Sequence, residues 1–152
     1  MERDQATKFI NDLLRLMVSR NGSDLFITAD FPPAIKVDGK ITKVSPQPLN
    51  SAHTMALARS IMSDKQVAEF ERTKEGNFAI SPPQIGRFRV NVFVQQGKVG
   101  LVLRVIPTLL PTIDGLGVPQ VLKEIVQSKR GLCIMVGATG SGKSTTLAAM
   151  VD

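Results

Sequence analysis

The 152-residue chain has no tryptophan, no tyrosine, one histidine and one cysteine. Without Trp or Tyr, and with Lys and Arg scattered rather than gathered into a basic run, it offers no nucleic-acid motif. Its net charge of +6 therefore reads as solvated faces, which permit contact with phosphates, nucleic acid or an acidic membrane surface and do not choose among them. Cys133 lies inside an apolar run, where it reads as a small buried side chain rather than a reactive thiol or metal ligand. His53 has neither a nucleophile nor a second histidine to work with and reads as solvated. No apolar run approaches the ~18 residues of a membrane span, and Met1-Glu2-Arg3-Asp4-Gln5 carries no signal-peptide pattern. A composition of 43% hydrophobic and 21% charged residues describes a soluble globular protein, which a reducing cytoplasm suits.

What is present centres on Gly137-Ala138-Thr139-Gly140-Ser141-Gly142-Lys143-Ser144. This fits Gly-x-x-x-x-Gly-Lys-Ser/Thr, a loop whose backbone N–H groups cradle phosphates. Glycines allow positive φ and close backbone approach, and the following helix adds its positive end. Lys143 is placed to reach the β- and γ-phosphates of a nucleotide, Ser144 to ligate Mg²⁺, and Thr145 to contact the α-phosphate. The expected context is a strand over Leu132–Val136, buried on both faces, and a helix from Thr145 to Val151. That strand and helix are only the first part of a βαβ unit. No later segment supplies an acidic Mg²⁺ ligand or a group to position water, so the hydrolytic machinery is expected to be incomplete and residues beyond about 130 poorly partnered.

Upstream, residues 4–20 read as an amphipathic helix with Ala6, Ile10, Leu13, Leu14 and Met17 inward, stopped by Asn21-Gly22. Ser23–Thr28 alternates as a strand, and Ala34–Val44 is a hairpin about Asp38-Gly39. A helix from Ser51 carries Met55, Ala58, Ile61 and Met62 on one side. Ser63 caps a second helix with Val67 and Phe70 on one stripe, leaving Glu69 and Glu71 as surface charges. Strands follow over 77–81, 87–95 and 99–106. Pro107 to Gly117 reads as a linker and the domain boundary, and Pro119 opens a helix to about Ser128 with Val121, Leu122, Ile125 and Val126 buried.

With Gln96-Gly97 at the tip of the last hairpin, Phe88 meets Val105, Val90 meets Leu103, Val92 meets Leu101 and Val94 meets Val99, all on one face. The same register sets Arg89 opposite Arg104, with Arg87 beside them. Like charges directly opposed repel. Two readings follow: guanidiniums that splay into water or meet carboxylates elsewhere, or a paired site that clamps phosphate oxygens.

Taken together, Gly22-Ser23-Asp24-Leu25-Phe26-Ile27-Thr28, Pro32-Pro33, Val37-Asp38-Gly39-Lys40, Asn77-Phe78-Ala79-Ile80-Ser81, Gly86-Arg87-Phe88-Arg89-Val90 and Arg130-Gly131-Leu132 through Met150 resemble the type IV pilus retraction ATPases. That is the PilT/PilU family of the secretion-ATPase superfamily, and two of these segments look closer to the PilU branch. The resemblance implies an α+β chain: a PAS-like antiparallel sheet domain with flanking helices over 1–106, a linker over 107–117, and the truncated start of a RecA-like α/β P-loop domain over 118–152. It implies a hexameric, cytoplasmic motor, peripheral at the inner-membrane pilus base, that binds ATP and Mg²⁺ and hydrolyses ATP for twitching motility. Its implied partners are the pilus machinery and a paralogous retraction ATPase. Arg89 and Arg104 would then be catalytic beside Lys143, approaching the nucleotide's phosphates. The family's later acidic and histidine motifs are absent from this chain, so the fragment alone is expected to be inactive. A second reading makes residues 1–110 a non-enzymatic interaction or ligand-sensing module.

Overall fold

A computed structural model describes residues 2–138 and 140–151. The first helix, α1 (Arg3–Ser19), buries all five residues of its apolar stripe, Ala6, Ile10, Leu13, Leu14 and Met17. It ends through a left-handed Asn21 at φ 52, after which the Gly22 N–H donates to the Met17 carbonyl at 2.8 Å. Gly22 itself is small for a packing reason, since a Cβ there would lie 2.8 Å from Met17 Cγ.

Strand β1 (Asp24–Thr28) is followed by the hairpin of β2 (Ala34–Val37) and β3 (Lys40–Lys43). Asp38 and Gly39 turn it at φ 48 and 78, the pair of positive values a type I′ turn requires. Helix α2 (Ser51–Ser60) starts at Asn50, whose side chain accepts from the His53 N–H at 2.8 Å. Helix α3 (Asp64–Thr73) opens with a full capping box between Ser63 and Gln66. Then come β4 (Glu75–Ile80), which begins two residues ahead of the expected strand, β5 (Arg87–Gln95) and β6 (Lys98–Ile106).

The six strands form one sheet in the order β3-β2-β1-β6-β5-β4, with every pairing antiparallel. β5 and β6 meet in the expected register, Phe88 opposite Val105 through Val94 opposite Val99, about Gln96 and Gly97 at φ 51 and 76. Side chains alternate across a strand, so the sheet has two unlike faces. One is covered by the helices: Leu25, Ile27, Ile35, Phe88, Val90, Val92, Leu101 and Leu103 are fully buried against a core that includes Ile10, Leu14, Met17 and Leu57. Each such side chain contributes about 1.5–3 kcal/mol by leaving water. On α2, Thr54, Leu57 and Ala58 are fully buried and Met62 just beyond its end nearly so, while Met55 and Ile61 pack only partly, so the inward face keeps Ala58 and Met62 of the expected stripe and turns toward Thr54 and Leu57. The other face carries Asp24, which is buried, and Arg89, Asn91 and Arg104, which leave it open over β5 and β6.

The chain divides into two compact units between Ile106 and Pro107. In the second, a 3₁₀ turn over Asp114–Leu116 precedes α4 (Val121–Val126) and α5 (Lys143–Val151). Two expectations are corrected here. α4 is shorter than the span from Pro119 to Ser128, and its supposed inner residues Val121 and Val126 are 51% and 42% exposed. No strand forms over Leu132–Val136: Leu132, Ile134 and Val136 are exposed, and so is Cys133. An isolated strand cannot satisfy its own backbone donors and acceptors, and among the described residues nothing pairs with this one.

Candidate functional site

The glycine-rich loop is built by backbone conformations that only glycine takes without strain. Gly140 and Gly142 lie at φ 78 and 92, and a Cβ on Gly137 would sit 2.7 Å from Ser141 Oγ. The Ser141 N–H donates to the Ala138 carbonyl at 3.2 Å and closes the turn. Thr139, a sequence candidate, lies outside the described residues. α5 begins at Lys143 rather than Thr145, so Lys143, Ser144 and Thr145 form its first turn, which contains no acidic residue. The N–H groups of that turn have no intrahelical acceptor and carry the positive end of the helix. Gly140, Gly142, Lys143, Ser144 and Thr145 line a depression of about 320 Å³.

Lys143 folds back over its own loop, its ammonium donating to the carbonyls of Gly137 and Ala138, both at 2.7 Å. Two of its three donors are thus committed and one is left for an anion. The donor set suits phosphate: a point charge, aligned amides and a hydroxyl, with no carboxylate in the loop to repel it. For Mg²⁺ the fit is through Ser144 alone. Among the described residues no group of three or more His, Cys, Asp or Glu side chains converges, so the other oxygens around such an ion would come from the nucleotide and water.

The first unit holds a second constellation, on the open face of its sheet. Arg89 lies directly opposite Arg104, as the register requires. The repulsion is relieved on one side only. Arg104 Nε donates to Asp24 Oδ1 at 2.8 Å, across a β1–β6 pair in which Asp24 also lies directly opposite it. Ser23 Oγ donates to the other carboxylate oxygen at 2.8 Å. Burial by itself would push the Asp24 carboxyl up, but the hydrogen bonds from Arg104 and Ser23, with the attraction of Arg104 and Lys36, hold it below its ordinary value. Asp24 is 5% exposed, whereas the Arg104 side chain is 70% exposed. Arg89 is exposed and forms no ion pair among the described residues. Beside this row, Asn91 Nδ2 donates to Asn77 Oδ1 at 2.8 Å, and Asn77, Arg89, Asn91, Val102 and Arg104 line a depression of about 360 Å³.

Sequence reasoning did not single out Asp24, Asn77 or Asn91. The signal for Asp24 was the alternation of β1, which puts it on the face opposite Leu25 and Ile27. Of the residues set aside, Glu71 pairs with Arg59 at 2.6 Å at the surface. His53 is half-buried rather than solvated, its Nδ1 enclosed without a partner among the described residues.

The model of one family, described as "Type II/IV secretion system protein", matches residues 2–152. The chain belongs to that family. Among its members the type IV pilus ATPase PilU of Pseudomonas aeruginosa is 51% identical over 91% of this chain and 36% of its own length. The type IV pilus retraction ATPase PilT of the same organism is 43% identical over 94% of this chain and 42% of its own. A crystal structure of the pilus retraction motor PilT with bound ADP matches at a TM-score of 0.82 and 36% identity, covering 93% of this chain and 42% of that one. The chain therefore spans roughly two-fifths of the length of the family members it resembles. The α+β architecture, an antiparallel sheet with flanking helices, is shared with the PilT structure.

Proposed function

We propose that this chain is the N-terminal portion of a hexameric motor ATPase that retracts type IV pili for twitching motility. On this reading residues 1–106 are a PAS-like domain, 107–117 a linker and 118–152 the start of a RecA-like ATPase domain. The observation that carries it is the lysine-centred loop at the head of α5, in a chain that is 51% identical to PilU and similar to PilT determined with ADP.

ATP would be held at its phosphates by the backbone of Gly137, Ala138, Thr139, Gly140, Ser141 and Gly142. Lys143 would leave its carbonyl partners for the β- and γ-oxygens, and Thr145 would meet the α-phosphate. Ser144 would ligate Mg²⁺, whose contribution is to neutralise charge on the bridged oxygens. Arg89 and Arg104 would reach phosphate oxygens in the assembled parent, where a guanidinium stabilises charge that develops during transfer. Hydrolysis would be the work of the parent, since it needs an acidic Mg²⁺ ligand and a water-positioning group beside this loop. The parent works on the cytoplasmic side of the pilus base, with other copies of itself, the pilus machinery and a paralogous retraction ATPase as partners.

The test is calorimetric titration of Mg·ATP into the chain beside its Lys143→Ala variant, at fixed salt. An ammonium–phosphate hydrogen bond contributes about 1.5–3 kcal/mol, so the variant should bind at least roughly tenfold more weakly. Measurable binding of equal strength in both would overturn the role given to Lys143.

A further inference from the structure

We infer that Asp24 is the positioning residue for Arg104, holding the guanidinium by Nε so that both terminal nitrogens stay free on the open face for phosphate oxygens. This deepens the proposed function and rests on its reading that Arg104 meets phosphate in the parent.

The asymmetry of the pair carries the inference. A surface ion pair has two exposed, mobile members. Here the Asp24 side chain is 7% exposed and fixed by a second hydrogen bond from Ser23 Oγ, while its cationic partner projects with 70% of its side chain exposed. The contact is made through Nε at 2.8 Å and not by the forked end of the guanidinium. A carboxylate gripped by the fork would consume the two donors that recognise phosphate; held at Nε, the fork is kept and aimed. The distance is set by the sheet, because Asp24 and Arg104 are direct partners in the β1–β6 ladder and no loop intervenes.

Arg89 completes the logic. It sits directly opposite Arg104 on β5, and two unneutralised guanidiniums there would splay apart. Asp24 cancels one of the two charges. Both arginines can then remain on one small patch, Arg104 held and Arg89 able to swing. Lys36, opposite Asp24 on the other side, keeps the row cationic overall.

The experiment is steady-state turnover of Mg·ATP by the parent ATPase and its Asp24→Asn, Arg104→Ala and doubly substituted variants, with melting temperatures to establish folding. Asn keeps the size of Asp and one acceptor oxygen. Loss of Arg104 should lower kcat on the order of a hundredfold or more, as removal of one preorganised donor to developing charge does. Asp24→Asn should lower kcat roughly tenfold and leave KM within about twofold, as misorientation of a group used in the transition state does. The double variant should be no slower than Arg104→Ala alone, since a positioning residue has nothing left to position. Wild-type turnover by Asp24→Asn beside a slow Arg104→Ala would overturn this inference and leave the phosphate reading standing. So would a double variant slowed by the product of the two. Wild-type turnover by Arg104→Ala would overturn the phosphate reading, and this inference with it. If Asp24→Asn does not melt cooperatively, Ser23→Ala takes its place in the same cycle: a drop in kcat that vanishes in the Arg104→Ala background supports the inference, and a drop that persists there overturns it.

Discussion

Replacing Gly22 with alanine should destabilise the first unit, and the size of the effect can be worked from its surroundings. The new Cβ would lie 2.8 Å from Met17 Cγ, 3.2 Å from the Met17 carbonyl oxygen and 3.3 Å from that of Lys36. Neither carbonyl is free to withdraw, because one accepts the Gly22 N–H and the other the Ser23 N–H, each at 2.8 Å. The adjustment therefore falls on the Met17 side chain, which is completely buried. Overpacking of that kind costs about 1–3 kcal/mol. Gly22 does not have positive φ, so alanine also restricts the unfolded chain and returns about 0.4–1 kcal/mol. The net loss centres on roughly 1 kcal/mol, which for a unit of this size lowers the melting temperature by about 4–8 °C. With no Trp or Tyr to report by fluorescence, far-UV circular dichroism is the assay. In a Met17→Ala background the clash has no target, and the added cost of Gly22→Ala should largely vanish. A Gly22→Ala chain that melts at or above the wild-type temperature would refute the reasoning.

Further expectations concern charge, capping and exposure. The folded Asp24 carboxyl lies below its ordinary value of 3.8, so its stabilising effect is complete above that pH and is lost as pH falls toward the lowered folded value. Melts taken downward through this range should lose more stability in the wild type than in Asp24→Asn, and parallel curves would refute the assignment. Ser63→Ala removes the acceptor for the Gln66 N–H, at 3.4 Å, from the capping box of α3 and should cost about 1 kcal/mol; unchanged urea unfolding would count against the cap. Cys133 should be alkylated in the native chain at nearly the rate seen in denaturant, because its thiol is exposed. A native rate many-fold slower would show that Leu132–Val136 is covered in solution.

The β5–β6 hairpin was legible because local signals agreed: period-two apolar residues, a Gln96-Gly97 tip, and one register that kept every apolar pair together. The turn at Asp38-Gly39 and the capping box at Ser63 were legible for the same reason, since each is decided within four residues. The neighbour of β1 was not. Nothing local to Asp24–Thr28 says that it pairs with β6, about eighty positions on, and the Asp24–Arg104 bond follows only from that pairing. The expected strand at Leu132–Val136 failed in the opposite way. Its apolar run is a sound strand pattern, but a strand is a relation between segments, and the run alone does not supply the second one. Pro119 and the apolar residues after it likewise suggested more helix than α4 contains, because pattern marks which side chains are able to pack and not whether a surface meets them.

The parity of the sheet separates two kinds of sequence change. Leu25, Ile27, Phe88, Val90, Leu101 and Leu103 belong to the enclosed core, whereas Asp24, Phe26, Arg89, Asn91, Val102 and Arg104 interleave with them residue by residue and do not. A library that randomises only Phe26, Arg89, Asn91 and Val102, leaving the buried Asp24 and its partner Arg104 in place, would explore new ligand chemistries on an intact scaffold. One that shifts a strand by a single insertion would trade the two sets and lose both.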